Sequence, residues 1–166
     1  MGQLTMAKEV ESKKGRNIVI AIDGSDHAKY AYQWYLDNVR KEDDHVFLVH
    51  AVEMNDIVSS NFSSPYSFDP EVFAAMLKKE KERVSKELQQ YANLLTETGV
   101  AGTVKSVHAA TPGEGLVKTA KEVEANLIIS GCRGLGTVRR TLLGSNSDYL
   151  LHHAHVPVIV CRHPHK

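Results

Sequence analysis

Five short runs of β-branched, apolar residues, each followed by a longer stretch with helical spacing, constrain this chain more than any other feature. The first run, Ile18-Val19-Ile20-Ala21-Ile22, is apolar without interruption, as in strands buried on both faces. Asp23-Gly24-Ser25-Asp26 breaks it with turn and helix-start chemistry, and Ala28, Ala31, Tyr32, Tyr35, Leu36 and Val39 then recur at helical spacing. The second strand is predicted over Val46–Val52, and residues 53–68, rich in serine near Pro65, read as a long loop. Asp69-Pro70 opens a helix predicted to about Thr98, with Phe73, Leu77, Val84, Leu88, Tyr91 and Leu95 on one face and Lys78–Arg83 as solvated surface. Thr103–Ala109 gives a third strand. Thr111-Pro112-Gly113-Glu114 starts a third helix with a capping-box pattern. Leu127–Ser130 is a fourth strand, a fourth helix starts near Ser145, and Val156–Val160 is the last strand.

Strands joined by helical crossovers pair in parallel, with helices on both faces. The order β-α-β-α-β-α-β-α-β therefore predicts an α/β fold: a doubly wound five-stranded parallel sheet in the order 3-2-1-4-5. A length of 166 residues suits one domain, taken as residues 17–166, with residues 1–16 as a flexible N-terminal tail. The 20 basic and 20 acidic side chains cancel, which argues against an electrostatic grip on nucleic acid or an anionic membrane. Two cysteines are too few for a disulfide framework, and the start of the chain has no apolar core of a secretory signal. No apolar run approaches the roughly 20 residues of a membrane span, so a cytoplasmic location is expected.

In open α/β sheets ligands bind beyond the carboxyl ends of the strands, where the winding reverses. Strands one and four are neighbours at that point in the predicted order. The segments that follow them are Asp23-Gly24-Ser25 and the stretch from Gly131 to Ser145. In the second, glycines let backbone N–H groups face a ligand, and the stretch ends at a helix N-terminus that favours phosphate. Arg133, Arg139 and Arg140 add positive charge. The stretch lacks the Gly-Lys-Ser/Thr ending of a P-loop, and its GxxGxG spacing after the fourth strand is not a dinucleotide fingerprint.

Gly131, two residues, Gly134, nine residues, Gly144 and Ser145 together resemble the signature of the universal stress protein family. The Ile-Ala-Ile-Asp-Gly-Ser start, His50-Ala51-Val52 and Pro157-Val158-Ile159-Val160 are similar to the family as well, so the likeness spans roughly residues 17–162. It implies an ATP-binding, nucleotide-dependent stress-response module, with ATP, AMP or ADP as ligand. By the resemblance, Asp23, after Ala21 and Ile22, meets the ribose or a magnesium ion, and backbone at Ala51 meets adenine. Gly131, Gly134, Gly144 and Ser145 hold the phosphates, with Arg133, Asn146 and Ser147 close by. Ser130 departs from the family, in which binding members often carry an apolar residue there.

Other readings compete at several of these residues. Ser145 and Asp148 form an S-x-x-D capping pattern, and Asp23 suits a turn. His152, His153, His155, His163 and His165 invite a metal, but no carboxylate or cysteine set completes a site. Cys132 lies inside the proposed phosphate loop, where a thiol can be reactive, though a small buried filler is its plainer role. No catalytic residues are assigned, because no triad, paired-carboxylate or kinase pattern is present. A slow magnesium-dependent ATPase and a nucleotide-free interaction scaffold stand as alternatives to a binding switch. The uncharged edge strand Val156–Val160 predicts a homodimer that covers it.

Overall fold

The computed structural model describes residues 15–53, 70–132 and 143–163. Its strands are β1 (Asn17–Ile22), β2 (His45–Glu53), β3 (Gly102–Ala109), β4 (Leu127–Gly131) and β5 (Val158–Cys161). The helices are α1 (Asp26–Asn38), α2 (Pro70–Glu97), α3 (Pro112–Glu122) and α4 (Ser145–His153), and they alternate with the strands along the chain. The sheet runs β3-β2-β1-β4-β5 with every pairing parallel, as the alternation predicts. Ile22 lies opposite His50 and Gly131 opposite Cys161, which brings the carboxyl ends of all the central strands to one pole.

Side-chain alternation divides the core into two layers. Ile18, Ile20, Ile22, Val46 and Leu48 face α1 and α2, where Ala31, Tyr32, Tyr35, Tyr91 and Leu95 cover them. Val19, Val49 and Ile128 face α3 and α4, against Leu116, Val117, Ala120 and Leu150. Each fully buried aliphatic side chain contributes about 1.5–3 kcal/mol. Local capping agrees with the sequence: Ser25 accepts the Ala28 N–H at the start of α1, and Thr111 accepts the Glu114 N–H at the start of α3.

The apolar face predicted for α2 is only partly used. Tyr91 and Leu95 are buried, whereas Leu77 is exposed, as are its neighbours Val72 and Met76, which lie off that face. Length explains this: a 28-residue helix extends about 42 Å, while the 8-residue β3 beside it spans about 26 Å. The first turns of α2 therefore run past the sheet. The last strand also begins later than predicted, at Val158 rather than Val156, and extends to Cys161. Pro157 has no N–H for the ladder, but its carbonyl accepts the Ile128 N–H at 3.0 Å.

The amino-terminal pole is held by a buried ion pair. Asp44, 4% exposed, accepts from Arg16 Nε at 2.8 Å, Arg16 Nη2 at 2.8 Å, the Tyr35 hydroxyl at 2.9 Å and the Lys41 N–H at 2.9 Å. Burial pushes the Asp44 pKa up, but these donors outweigh it and hold the carboxylate below its ordinary range. Arg16, the last residue assigned to the tail, also donates to the Val39 carbonyl at 2.8 Å, so it is part of the fold.

Candidate functional site

β1 ends in the turn Asp23-Gly24-Ser25. Asp23 Oδ1 accepts the Ser25 N–H at 2.9 Å, closing an Asx-type turn that aims the chain into α1. Gly24 has φ +79°, a left-handed conformation that a side chain would strain. A methyl there would also lie 3.0 Å from Glu87 Oε1 of α2. The turn thus sits between β2 and β4 with α2 pressed against it.

The glycine-rich stretch begins at the end of β4, beside this turn. Its two ends are pinned together: the Gly144 N–H donates to the Cys132 carbonyl at 2.9 Å. The Ser147 hydroxyl donates to the Gly131 carbonyl at 2.8 Å, and the Ser130 hydroxyl reaches the same oxygen at 3.0 Å. Ser130 and Ser147 therefore act here as clamps on Gly131, which gives the departure at Ser130 a structural role. Gly131 itself must lack a side chain, because a methyl would lie 2.7 Å from the His27 carbonyl oxygen where α1 crosses the end of β4. The capping prediction for Ser145 does not hold. Gly144 occupies the N-cap with extended backbone and no side-chain hydrogen bond, since its tie to Cys132 sets the helix start one residue earlier. The first N–H groups of α4 therefore have no side-chain cap.

Three residues to which the sequence assigned no site role also lie at this pole. Among the described residues, the buried side-chain atoms without a hydrogen-bond partner are His50 Nδ1, Glu87 Oε1 and the Tyr91 hydroxyl. His50 lies at the β2 position opposite Ile22, one residue before Asp23. Glu87 packs on Gly24, and its other carboxylate oxygen receives Arg83 at 3.4 Å. Burial pushes the Tyr91 hydroxyl up to about 12; the negative charges of Glu87 and Asp23 add to the shift. The Gly24 N–H opposes it, lying toward the hydroxyl without completing a hydrogen bond. For His50 the signals were a histidine inside an apolar strand and the His50-Ala51-Val52 likeness to the family. Tyr91 reads as ordinary core at helical spacing, and its meeting with Asp23 depends on how far α2 slides along the sheet.

The structure thus brings Ala21, Ile22, Asp23, Ala51, Ser130, Gly131, Gly144, Ser145, Asn146 and Ser147 to one end of the sheet. Arg133 and Gly134 lie outside the described residues. The Ala51 methyl points to the α3 layer, near Gly115, so only its backbone is on offer to a ligand at the strand ends. No group of three or more His, Cys, Asp or Glu able to hold a metal exists among the described residues. The histidines have other contacts: His152 lies 3.7 Å from Asp148, and the His153 ring stacks on Tyr149 at 3.9 Å. No described helix is long and apolar enough to cross a membrane.

Comparison with known proteins agrees with this fold. The model of the universal stress protein family matches residues 15–162. A putative universal stress protein of Staphylococcus aureus (strain USA300) is 30% identical over 148 residues, covering 89% of this chain and 84% of its own. Among solved structures, the hypothetical protein MJ0577 superposes with TM-score 0.76 at 20% identity, over 92% of this chain and 99% of its own. A universal stress protein family member from Arabidopsis thaliana, solved with AMP bound, gives TM-score 0.62 at 22% identity, over 90% of this chain and 92% of its own.

Proposed function

This chain belongs to the universal stress protein family, and we propose that it binds an adenine nucleotide at the carboxyl pole of its sheet. The observation that carries this reading is the set of three unpartnered buried atoms among the described residues, His50 Nδ1, Glu87 Oε1 and the Tyr91 hydroxyl, on elements that meet the end of β1. A buried polar atom without a partner costs about 1–3 kcal/mol, and a ligand with hydroxyl and amino groups would recover that cost. A nucleoside meets the requirement at one end of the crevice, while the start of α4 suits its phosphates at the other. AMP bound to the Arabidopsis relative supports the same class of ligand. ATP with magnesium is the form we favour. Asp23 is the residue that would offer the ion a carboxylate oxygen, and phosphate oxygens and water would supply the other ligands, the usual arrangement for magnesium.

Binding would act as a switch on assembly. β5 hydrogen-bonds to β4 alone among the described strands, and Val158, Ile159 and Val160 are half-buried on that edge. A second copy paired through this edge would cover it and close the assembly. Purification under native conditions followed by mass spectrometry of released small molecules is expected to find an adenine nucleotide and no NAD. Light scattering is expected to give twice the 18.4 kDa chain mass, and Ile159→Lys to halve it. A wild-type protein that is monomeric at high micromolar concentration contradicts the dimer.

A further inference from the structure

The thiol at the mouth of the glycine-rich stretch is not used by the nucleotide reading, and its surroundings have a chemistry of their own. Cys132 is half-buried directly after β4, and its Sγ lies 3.7 Å from Nδ1 of His27 in the first turn of α1. The His27 ring packs edge-on against His163 at 5.9 Å, and His163 in turn against Tyr30 at 5.0 Å. The second cysteine is next to the first across the β4–β5 pair, with the Cys132 N–H donating to the Cys161 carbonyl at 2.8 Å. These are the only two cysteines in the chain. Strand register sets Cys161 opposite Gly131, the residue before Cys132, so the two cysteines at the ends of a 30-residue stretch are one position out of register and joined by that backbone bond.

We propose that Cys132, His27 and Cys161 form a peroxide-reactive thiol site that closes to an intramolecular Cys132–Cys161 disulfide. In the first step Cys132 sulfur attacks one oxygen of a hydroperoxide. The S–O bond forms, the O–O bond breaks, and the thiol proton passes through His27 Nδ1 to the leaving oxygen. With hydrogen peroxide the products are Cys132 sulfenic acid and water. In the second step Cys161 sulfur attacks the sulfenic sulfur; the S–S bond forms, and the hydroxyl leaves with the Cys161 proton as a second water. Two thiols are oxidised and one peroxide is reduced to two waters.

The environment sets the order of the two sulfurs. Cys132 is the more exposed and has the imidazole beside it. Cys161 is 5% exposed. Burial first, and then the charge of the neighbouring Cys132, pushes its thiol up to about 11, so it stays protonated until a sulfenic acid is within reach. The site uses only described residues and functions with or without a nucleotide.

The test treats the full-length reduced protein with a small excess of hydrogen peroxide. Intact mass is expected to fall by two hydrogens, and peptide mapping to recover a Cys132–Cys161 cross-link within one chain. Cys161→Ser should stop at a sulfenic acid on Cys132 that dimedone captures. Cys132→Ser should leave Cys161 a free thiol. His27→Asn, on the first turn of α1, should slow the first step by about a hundredfold, the lower end of what a positioned proton acceptor contributes. Two free thiols after exposure of the folded protein would overturn the proposal. A cross-link only between chains, faster oxidation of Cys161 in Cys132→Ser, or an unchanged rate in His27→Asn would each overturn it too.

Discussion

The two poles of this sheet handle buried polar groups in opposite ways. At the amino-terminal pole, both oxygens of Asp44 are filled by Arg16, Tyr35 and Lys41, and nothing is left over. At the carboxyl-terminal pole, His50, Glu87 and Tyr91 carry buried polar atoms with no partner among the described residues. Both poles are lined by the same two helices, α1 and α2, and the same central strands, so composition does not account for the difference. One pole is built for stability, with its hydrogen bonds completed inside the chain. The other leaves hydrogen-bonding capacity unused among the described residues, which is what the proposed nucleotide site rests on.

Removing Asp44 should separate the poles most sharply. Asp44→Ala leaves the Arg16 guanidinium and the Tyr35 hydroxyl without their acceptor, and should cost about 3 kcal/mol of stability. Chemical denaturation measures it. Nucleotide affinity of the variant, assayed where it is still folded, should match wild type. The same carboxylate sets an acid limit. Because its folded pKa lies below the ordinary aspartate value, its contribution is complete above about pH 3.9 and is lost as pH falls through the lowered folded value.

At the other pole the sign should reverse. Tyr91→Phe removes a buried hydroxyl that has no partner, so the free protein should gain about 1 kcal/mol in thermal or chemical unfolding. The same change should weaken nucleotide binding by roughly fivefold, the worth of one lost neutral hydrogen bond. A variant that is both less stable and unchanged in binding would show the hydroxyl to be structural. The smallest effect concerns Ser145. Since Gly144 and not Ser145 occupies the cap, Ser145→Ala should shift stability by less than about 0.5 kcal/mol, with a modest loss of affinity.

The architecture was readable because it rests on short-range patterns. Continuous apolar runs mark doubly buried strands, and Ser25 and Thr111 mark helix starts as found. The glycine-rich stretch was readable for its spacing, and register then brought its ends to Asp23 as the strand order requires. What escaped depends on tertiary displacement. Glu87 and Tyr91 reach the site because α2 lies at a particular height along the sheet, and helical periodicity carries no information on height. Ser147 was placed close to the phosphates from the sequence, and its bond to the Gly131 carbonyl, which the sequence did not show, is a tertiary contact. Leu77 follows the apolar spacing of α2 and yet is exposed, because the helix is longer than the sheet it covers. The backbone bond from Cys132 to the Cys161 carbonyl was equally hidden, since it depends on β4 and β5 lying side by side.

The central claim, that the unsatisfied pole is a nucleotide site, is tested most directly by isothermal titration of ATP with magnesium into nucleotide-free wild-type protein, with AMP in parallel. One saturable site per chain with micromolar affinity is predicted, weaker in Tyr91→Phe and unaltered in Asp44→Ala. A flat titration for both nucleotides, on protein whose circular dichroism and cooperative unfolding show it to be folded, would contradict the account.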